Sequence, residues 1–369
     1  MENFEDNPEY IEKVLQLPCP SCGGELSYSA SKNSLLCKHC GHQKDIDQSN
    51  DMIVEQSLSK ATAQKSQFTP QSIQKKVIDC SGCGAQLMIN DKDLSLRCNF
   101  CGSSKVNESA TQKNMIQPQG IIPFKVDKNE STEKFRVWIQ KGWFHPNKLK
   151  KLAQLGDLHG IYVPFWTYDA KTHANWSGEA GYYYYETEYY NDADGNTKSR
   201  QVQRTRWEYK SGSFNHFFDD ILIVASKGLP YNLIQPIYPY QLDELINFNN
   251  ELLVGWEAEI YSLDISEGYR IADQKMDDAL RDMASNHLGG DTQRALRVSA
   301  QKWDQTYKHV LLPTWLCTYL YGGKSYQFAV NGQTGKIAGK KPISVIKVTL
   351  FVLFLISIAV AIYFYAEYA

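Results

Sequence analysis

The stretches that decide the fold are CPSCG at 19–23 with CKHCG at 37–41, and CSGCG at 80–84 with CNFCG at 98–102. They hold eight of the nine cysteines in two sets, Cys19, Cys22, Cys37 and Cys40, then Cys80, Cys83, Cys98 and Cys101. Both sets read C-x2-C-x14-C-x2-C, and the second repeats the first 61 residues later. This is the spacing of a four-cysteine zinc ribbon, in which two short knuckles converge on a tetrahedral thiolate site. A CxxC knuckle turns tightly, and the next residue must relieve backbone strain; Gly23, Gly41, Gly84 and Gly102 occupy that place. The expected cofactor is Zn²⁺, in two structural sites. A disulfide framework would need an oxidising compartment, and residues 1–18 are acidic and polar without the apolar core of a secretory signal. Iron bound by the thiolates is the other alternative, and the duplicated ribbon spacing favours zinc.

From Val348 to Ala366 the chain carries no charge, a run just long enough to cross a hydrocarbon core as a helix. Tyr363, Phe364, Tyr365 and Tyr368 lie at its far end, and Lys336, Lys340, Lys341 and Lys347 flank its near end. Because positive flanks stay cytoplasmic, the expectation is a single-pass, C-terminally anchored protein of the inner membrane with its N-terminal domains in the cytoplasm.

Between the cysteines and the span, aromatic residues concentrate from Trp138 to Tyr326, which argues for a well-packed β-rich domain. The expected fold class is α+β: two four-cysteine zinc ribbons, an aromatic-rich and mostly antiparallel α+β domain, and one C-terminal transmembrane helix. The segments are an acidic lead-in (1–17), ribbon one (18–43), a polar linker (44–78), ribbon two (79–104), a second polar linker (105–118), the α+β domain (119–342), the membrane helix (343–366) and a short tail (367–369). Both linkers are polar enough to read as flexible. Ribbon one turns at Ser31–Asn33, and ribbon two folds its hairpin around Asn90–Asp93. In the main domain the pattern predicts a short helix carrying Phe135, Trp138 and Ile139 and strands over 160–168, 219–226, 255–261 and 310–321. It also predicts an amphipathic helix over about 267–288 ended by Gly289–Gly290, and a hairpin around Asn331–Gly332. The runs 182–190 and 198–209 form another hairpin around 191–196. That acidic loop is a turn rather than a calcium site, since counting from Asp192 puts Thr197 where an EF-hand needs glycine. Tyr162–Tyr168 and Leu311–Leu316 each contain Pro-x-Trp, an echo within the domain.

No catalytic motif is present. Gly323–Lys324–Ser325 ends like a phosphate loop, but Thr318 stands where its first glycine belongs. Cys317 lies in an apolar strand and reads as a packed thiol. His145, His159, His173, His216 and His309 are scattered, and Asp219–Asp220 read as turn residues. A four-thiolate zinc site has no open position for water. Nucleic acid is disfavoured as a ligand, because phosphate binding needs clustered Lys and Arg. Ribbon one sets Lys32 and Lys38 against Glu25, ribbon two sets Lys92 and Arg97 against Asp91 and Asp93, and each metal with four thiolates adds about −2. Net charge for the whole chain is only −2.

Taken together, CPSCGGEL, CSGCGAQL, YVPFWTYDA, TRWEYKSG, FDDILIVAS and above all the 308–342 block KHVLLPTWLCTYLYGGKSYQFAVNGQTGKIAGKKP resemble a bacterial family of membrane-anchored double-zinc-ribbon proteins. Its members are often labelled as similar to primosomal protein N′ or superfamily II helicases. The resemblance covers roughly residues 18–366 and implies a non-enzymatic membrane component. In some bacteria such proteins are encoded with phage-shock-protein-A-like and SPFH-domain proteins of the envelope-stress response. The expectation is a zinc-ribbon adaptor that recruits protein partners to the membrane; the alternative is a nucleic-acid-associated ribbon protein of replication type. The helicase label finds no ATPase motif to support it.

Overall fold

The computed structural model describes residues 17–29, 32, 34–46, 53–63, 76–89, 98, 103, 106–109, 116–147, 149, 158–191, 193, 195–321 and 324–368. The acidic lead-in up to residue 16, most of the 31–33 turn, the 90–93 hairpin loop, Cys101, Gly102 and the acidic Asp192 and Asp194 lie outside them. In chain order come β1 (Leu26–Ser29), β2 (Ser34–Cys37), β3 (Gln43–Asp45), β4 (Gln56–Ser57), α1 (Leu58–Ala63), β5 (Lys76–Cys80), β6 (Gln86–Ile89), β7 (Val106–Ser109) and β8 (Gly120–Ile121). They are followed by α2 (Lys128–Gln140), β9 (His159–Asn191), β10 (Thr197–Phe218), β11 (Ile223–Val224), α3 (Tyr231–Ile234), β12 (Ile246–Asn247) and β13 (Glu257–Ile260). The last elements are α4 (Ile265–Leu288), β14 (Thr292–Tyr321), β15 (Lys324–Asn331), β16 (Ile337–Gly339) and α5 (Val345–Tyr368).

The architecture is mixed helix and mostly antiparallel sheet. β9, β10 and β14 dominate it at 33, 22 and 30 residues. At about 3.3 Å per residue, β9 alone follows a path of about 110 Å. β9 lies between β10 and β14, antiparallel to both, and Gly181 pairs with Trp207 on one side and Thr292 on the other. Beyond that point the β9–β10 hairpin continues alone to the Asn191–Thr197 pair. β14 shifts register at two bulges, between Arg294 and Arg297 and between Trp303 and Thr306. Ala295 and Asp304 adopt positive φ there, at 55° and 51°. Each bulge raises the local twist, which keeps so long a strand from lying flat.

The strand expected over 160–168 and the tyrosine-rich strand after it are therefore one strand. The connecting stretch hides its β character because its buried positions, Ala170, Thr172, Ala174, Gly178 and Ala180, are small. They lie beneath α4, whose buried stripe is Ile265, Gly268, Ala272, Met276, Leu280, Ala284 and Leu288. At Gly178 a Cβ would come within 2.8 Å of the Leu288 side chain, and at Gly268 within 2.4 Å of the Tyr168 hydroxyl. Small residues let the helix approach closely. Asp264 accepts from the N–H groups of Ser266 and Glu267, and Glu267 accepts from the Asp264 N–H, a capping box that fixes the first turn. Gly289, at φ 68°, ends the helix. The stretch expected as a strand over 219–226 runs along β9 from Ile221 to Ala225, with regular strand geometry only at Ile223–Val224, because Asp220 turns the chain at φ 52° just before it.

The two Pro-x-Trp segments lie side by side: Leu311 pairs with Pro164 and Pro313 with Tyr162. Trp166 donates from Nε1 to the Leu263 carbonyl at 2.9 Å, and Trp315 to the Val126 carbonyl at 2.8 Å. Phe124 stacks on Trp256, and Phe135 on Phe328.

Both cysteine units are built into this core. Tyr28 is buried; its N–H donates to the Val254 carbonyl at 2.9 Å, and its carbonyl accepts from Trp256 Nε1 at 3.2 Å. Leu26, Tyr28 and Leu35 share a hydrophobic cluster with Leu252, Val254 and Leu311. In the second unit β6 pairs antiparallel with β13, so its sheet continues the main sheet. Ala85 sits against Gly228, where a Cβ would fall 2.5 Å from that of Ala85. The segments expected as flexible linkers are ordered in part. β4 pairs with β14, α1 buries Leu58 and Ala61, and β7 pairs with β5. Their polar composition conceals a few anchoring residues at helical or strand spacing.

Candidate metal centres

In the first unit β1 and β2 hold the two knuckles face to face. Cys19 Sγ lies 3.5 Å from Cys40 Sγ, and Cys22 Sγ lies 3.6 Å from Cys37 Sγ. All four sulfurs lie within 4.8 Å of one another. A disulfide would bring two sulfurs to about 2.05 Å, so these are four free thiols. A tetrahedral thiolate site with metal–sulfur bonds of about 2.3 Å has edges of about 3.8 Å, close to the spacing found. The N–H of Gly23 donates to the Cys19 carbonyl at 2.9 Å and that of Gly41 to the Cys37 carbonyl at 3.0 Å, both glycines at positive φ. A Cβ on Gly24 would lie 3.3 Å from Cys22 Sγ.

Electrostatics agree with a cation at the centre. Backbone N–H groups of Cys40 and His39 hold the Cys37 thiol down at about 6. The Gly24 N–H draws Cys22 the same way, but neighbouring Cys40 and Cys37 outweigh it and push Cys22 up to about 12. Without a counter-ion the four sulfurs cannot all ionise together; a divalent metal removes that conflict.

The second unit repeats the geometry as far as the described residues extend. Cys83 Sγ and Cys98 Sγ are 3.8 Å apart, and Cys80, Cys83 and Cys98 together can hold a metal ion. Gly84, at φ 78°, donates to the Cys80 carbonyl at 2.8 Å, and the Gly82 N–H points at Cys80 Sγ from 3.3 Å. The fourth expected ligand, Cys101, lies outside the described residues. The ninth cysteine, Cys317, is buried in the strand core.

Three polar groups escaped the sequence reading because their partners are distant in the chain. Glu259 on β13 is buried and accepts from the Ser226 hydroxyl at 2.6 Å; burial raises its carboxyl to about 8. Lys308 lies between Glu55 at 3.2 Å and Asp220 at 2.7 Å. Burial opposes its charge, but these carboxylates and Asp169 raise it above its ordinary value. Thr306 contacts both Glu55 and Asp169 at 2.8 Å, and burial lifts Asp169 to about 6. Glu55, Asp169 and Asp219 are close enough to share a cation, yet the Lys308 ammonium already supplies positive charge to that cluster. His309 is fully enclosed, and burial lowers it to about 4. Of the other histidines, His145 packs against the segment before α5, while His173 and His216 lie on the β9–β10 arm.

α5 is 24 residues long, on the order of 36 Å, enough to cross a hydrocarbon core, and none of its central window is buried. The site and fold thus define a protein with two ribbon-like cysteine clusters that can hold metal, a long-stranded α+β domain, and one helix able to span a membrane. Among known proteins the chain is similar to the uncharacterized protein YdjG of Bacillus subtilis (strain 168), with 26% identity over 343 residues, 90% of this chain and 91% of that protein. No family model matches the chain, and no solved structure matches it.

Proposed function

We propose that the chain is a non-enzymatic, membrane-anchored adaptor, held together by two structural zinc ions, that presents its projecting β9–β10 hairpin to a protein partner. Zinc is favoured because four thiolates at tetrahedral spacing give a closed sphere that supplies folding energy and leaves no position for substrate. The lysines before α5 favour a cytoplasmic placement of the domains.

The observation that carries the adaptor reading is the hairpin beyond Gly181. It displays Tyr183, Tyr184, Tyr185, Tyr189 and Tyr190 in the open, Tyr185 at 68% and Tyr189 at 72% exposure. Tyrosine gives a large contact area for little lost side-chain freedom, which suits a recognition surface. Such a ribbon can also stack on nucleic-acid bases, but here the charges are spent internally. Glu188 accepts from Arg200 at 2.6 Å and Glu186 from Arg204 at 2.8 Å. Lys198, Arg200, Arg204 and Arg206 are balanced by Glu186, Glu188, Asp192 and Asp194. With no surplus of positive charge for phosphates, a protein surface is the better match. By the family resemblance, SPFH-domain and phage-shock-protein-A-like proteins are the first partners to test.

A photo-crosslinking residue at Tyr185, in membranes, tests this. A discrete protein adduct is expected. Its recruitment to the membrane should fail when the hairpin is cut back to the facing pair Tyr183 and Thr205. Crosslinking to nucleic acid, or recruitment that survives the shortened hairpin, would overturn the reading.

A further inference from the structure

The loop after α2, residues 141–147 (KGWFHPN), is fastened to the start of α5 by an unusual density of contacts. The Ser344 N–H donates to the Phe144 carbonyl at 2.7 Å, and His145 Nδ1–H donates to the Pro342 carbonyl at 2.9 Å. Lys347 Nζ donates to the His145 carbonyl and to Asn147 Oδ1, both at 2.9 Å. Lys341 Nζ donates to the carbonyls of Trp138 and Lys141 and sits 4.2 Å from the centre of the Trp138 ring. Phe144 meets Phe351 edge to face, with ring centres 5.2 Å apart. Phe351 is six residues into α5, on the order of 9 Å along its axis and past the last lysine. The loop therefore reaches the depth at which the helix becomes wholly apolar.

Between loop and helix is a cleft of about 400 Å³, lined by Ile139, Gly142, Trp143, His145, Asn147 and Lys347. Gly142, at φ 109°, is required there, since a Cβ would fall 2.5 Å from the His145 ring. Trp143 stands 82% exposed at its rim. An indole left in water beside an apolar helix is poorly placed, whereas at a membrane interface its apolar body and N–H are both satisfied. The electrostatics have one sign. Residues 141–147 and 336–347 contain five lysines and no Asp or Glu, in a chain whose net charge is −2. Burial, and to a lesser degree the nearby Lys141, lower the pKa of Lys341. An ammonium has three donors, and two of those on Lys347 are used among the described residues.

We infer that this cleft is a headgroup site for an anionic phospholipid, its phosphate held by Lys347, the lysine that lines the cleft, and its glycerol region covered by Trp143. The inference rests on α5 spanning a membrane. Each lysine that lies near the surface strengthens attraction to anionic lipid, and a cleft with a tryptophan rim converts that general attraction into retention of one molecule.

The full-length chain, released from mixed phosphatidylcholine and phosphatidylglycerol membranes, is examined by native mass spectrometry for retained lipid. Phosphatidylglycerol should be retained about tenfold over phosphatidylcholine, and Lys347→Gln should bring the two to near parity. Lys198→Gln, on the distant hairpin, should leave the preference intact. Because Lys347→Gln can loosen the loop, a second measurement uses the native side chains. Fluorescence quenching by brominated phosphatidylglycerol should exceed that by brominated phosphatidylcholine, and Trp143→Phe should abolish the excess. Equal retention of the two lipids, equal quenching, or complete displacement of the lipid by inorganic phosphate would each overturn the proposal; the last would mark a soluble-anion site. None of these outcomes depends on the hairpin's partner.

Discussion

His309 offers a quantitative test of how the core is built. The side chain is buried where β14 passes the segment before β8. Its Nδ1–H donates to the Ile116 carbonyl at 2.9 Å, and its ring lies 4.7 Å from that of Trp166 and 5.3 Å from that of Tyr261. Nε2 is buried without a partner, so a second proton would have no acceptor. Burial accordingly lowers the pKa from 6.5 to about 4. The folded value lies below the unfolded one, so this contribution to stability is fully present above about pH 6.5 and is lost as pH falls toward 4. Over the whole window the loss is about 3 kcal/mol at 1.36 kcal/mol per pH unit, and about 2 kcal/mol of it falls between pH 7 and pH 5. His309→Phe keeps the ring but cannot titrate, and it strands the Ile116 carbonyl at a cost of about 1 kcal/mol at either pH. The variant should therefore be less stable than the native protein by about 1 kcal/mol at pH 7 and more stable by about 1 kcal/mol at pH 5. Asp169 and Glu259, with raised carboxyl pKa values, act in the opposite direction, and acid also weakens thiolate–metal bonds. Both effects are common to the two proteins and cancel in their difference. Urea unfolding of the detergent-solubilised full chain, followed by tryptophan fluorescence at equal metal content, reads the gap. A gap that is the same at both pH values refutes the argument.

Two further outcomes follow from the metal centres. The purified, reduced chain should carry two equivalents of zinc by elemental analysis, with Cys19→Ser and Cys80→Ser each losing one; iron in their place would count against the zinc reading. Gly228→Ala pushes a methyl onto the Cβ of Ala85, which should cost about 1–3 kcal/mol and speed chelator extraction of the second metal several-fold while leaving the first unchanged, as a two-site extraction time course will show.

The sequence was most legible where chemistry constrains spacing. Two C-x2-C-x14-C-x2-C sets with following glycines need one geometry, and Gly23, Gly41 and Gly84 take the positive φ that geometry requires. The apolar run of α5 and the stripe of α4 were also plain, because each repeats one signal over many turns. The long strands were not. Between Asp169 and Gly181 the buried side of β9 is made of alanine, threonine and glycine, which carry little hydrophobic signal, and the strand is recognisable only once α4 is seen to need a smooth floor. Nor could spacing reveal that Glu55 meets Lys308 and Thr306 about 250 residues away, or that Glu259 shares a buried hydrogen bond with Ser226. Those contacts are set by topology, and no local pattern encodes them.

Topology also changes what the ribbons can be asked to do. As flexible heads on polar linkers they would be free to search for partners above a membrane. Instead, the Tyr28 N–H bond to the Val254 carbonyl and the Trp256 indole bond to the Tyr28 carbonyl tie the first unit to the main domain, and the β6–β13 ladder makes the second unit part of the main sheet. A metal site in that position acts as a rivet. It fixes a knuckle that is too small to hold its own core, and the knuckle in turn covers apolar surface such as Leu252, Val254 and Ile161. On the adaptor reading, losing a metal should then act on recruitment indirectly, by loosening the domain that aims the hairpin, while shortening the hairpin acts directly and leaves the fold alone. Metal-depleted protein with an intact hairpin should lose stability and partner binding together. The shortened hairpin should lose binding with no change in the urea midpoint. The separation of these two behaviours distinguishes a scaffold with structural zinc from a protein whose ribbons touch the partner.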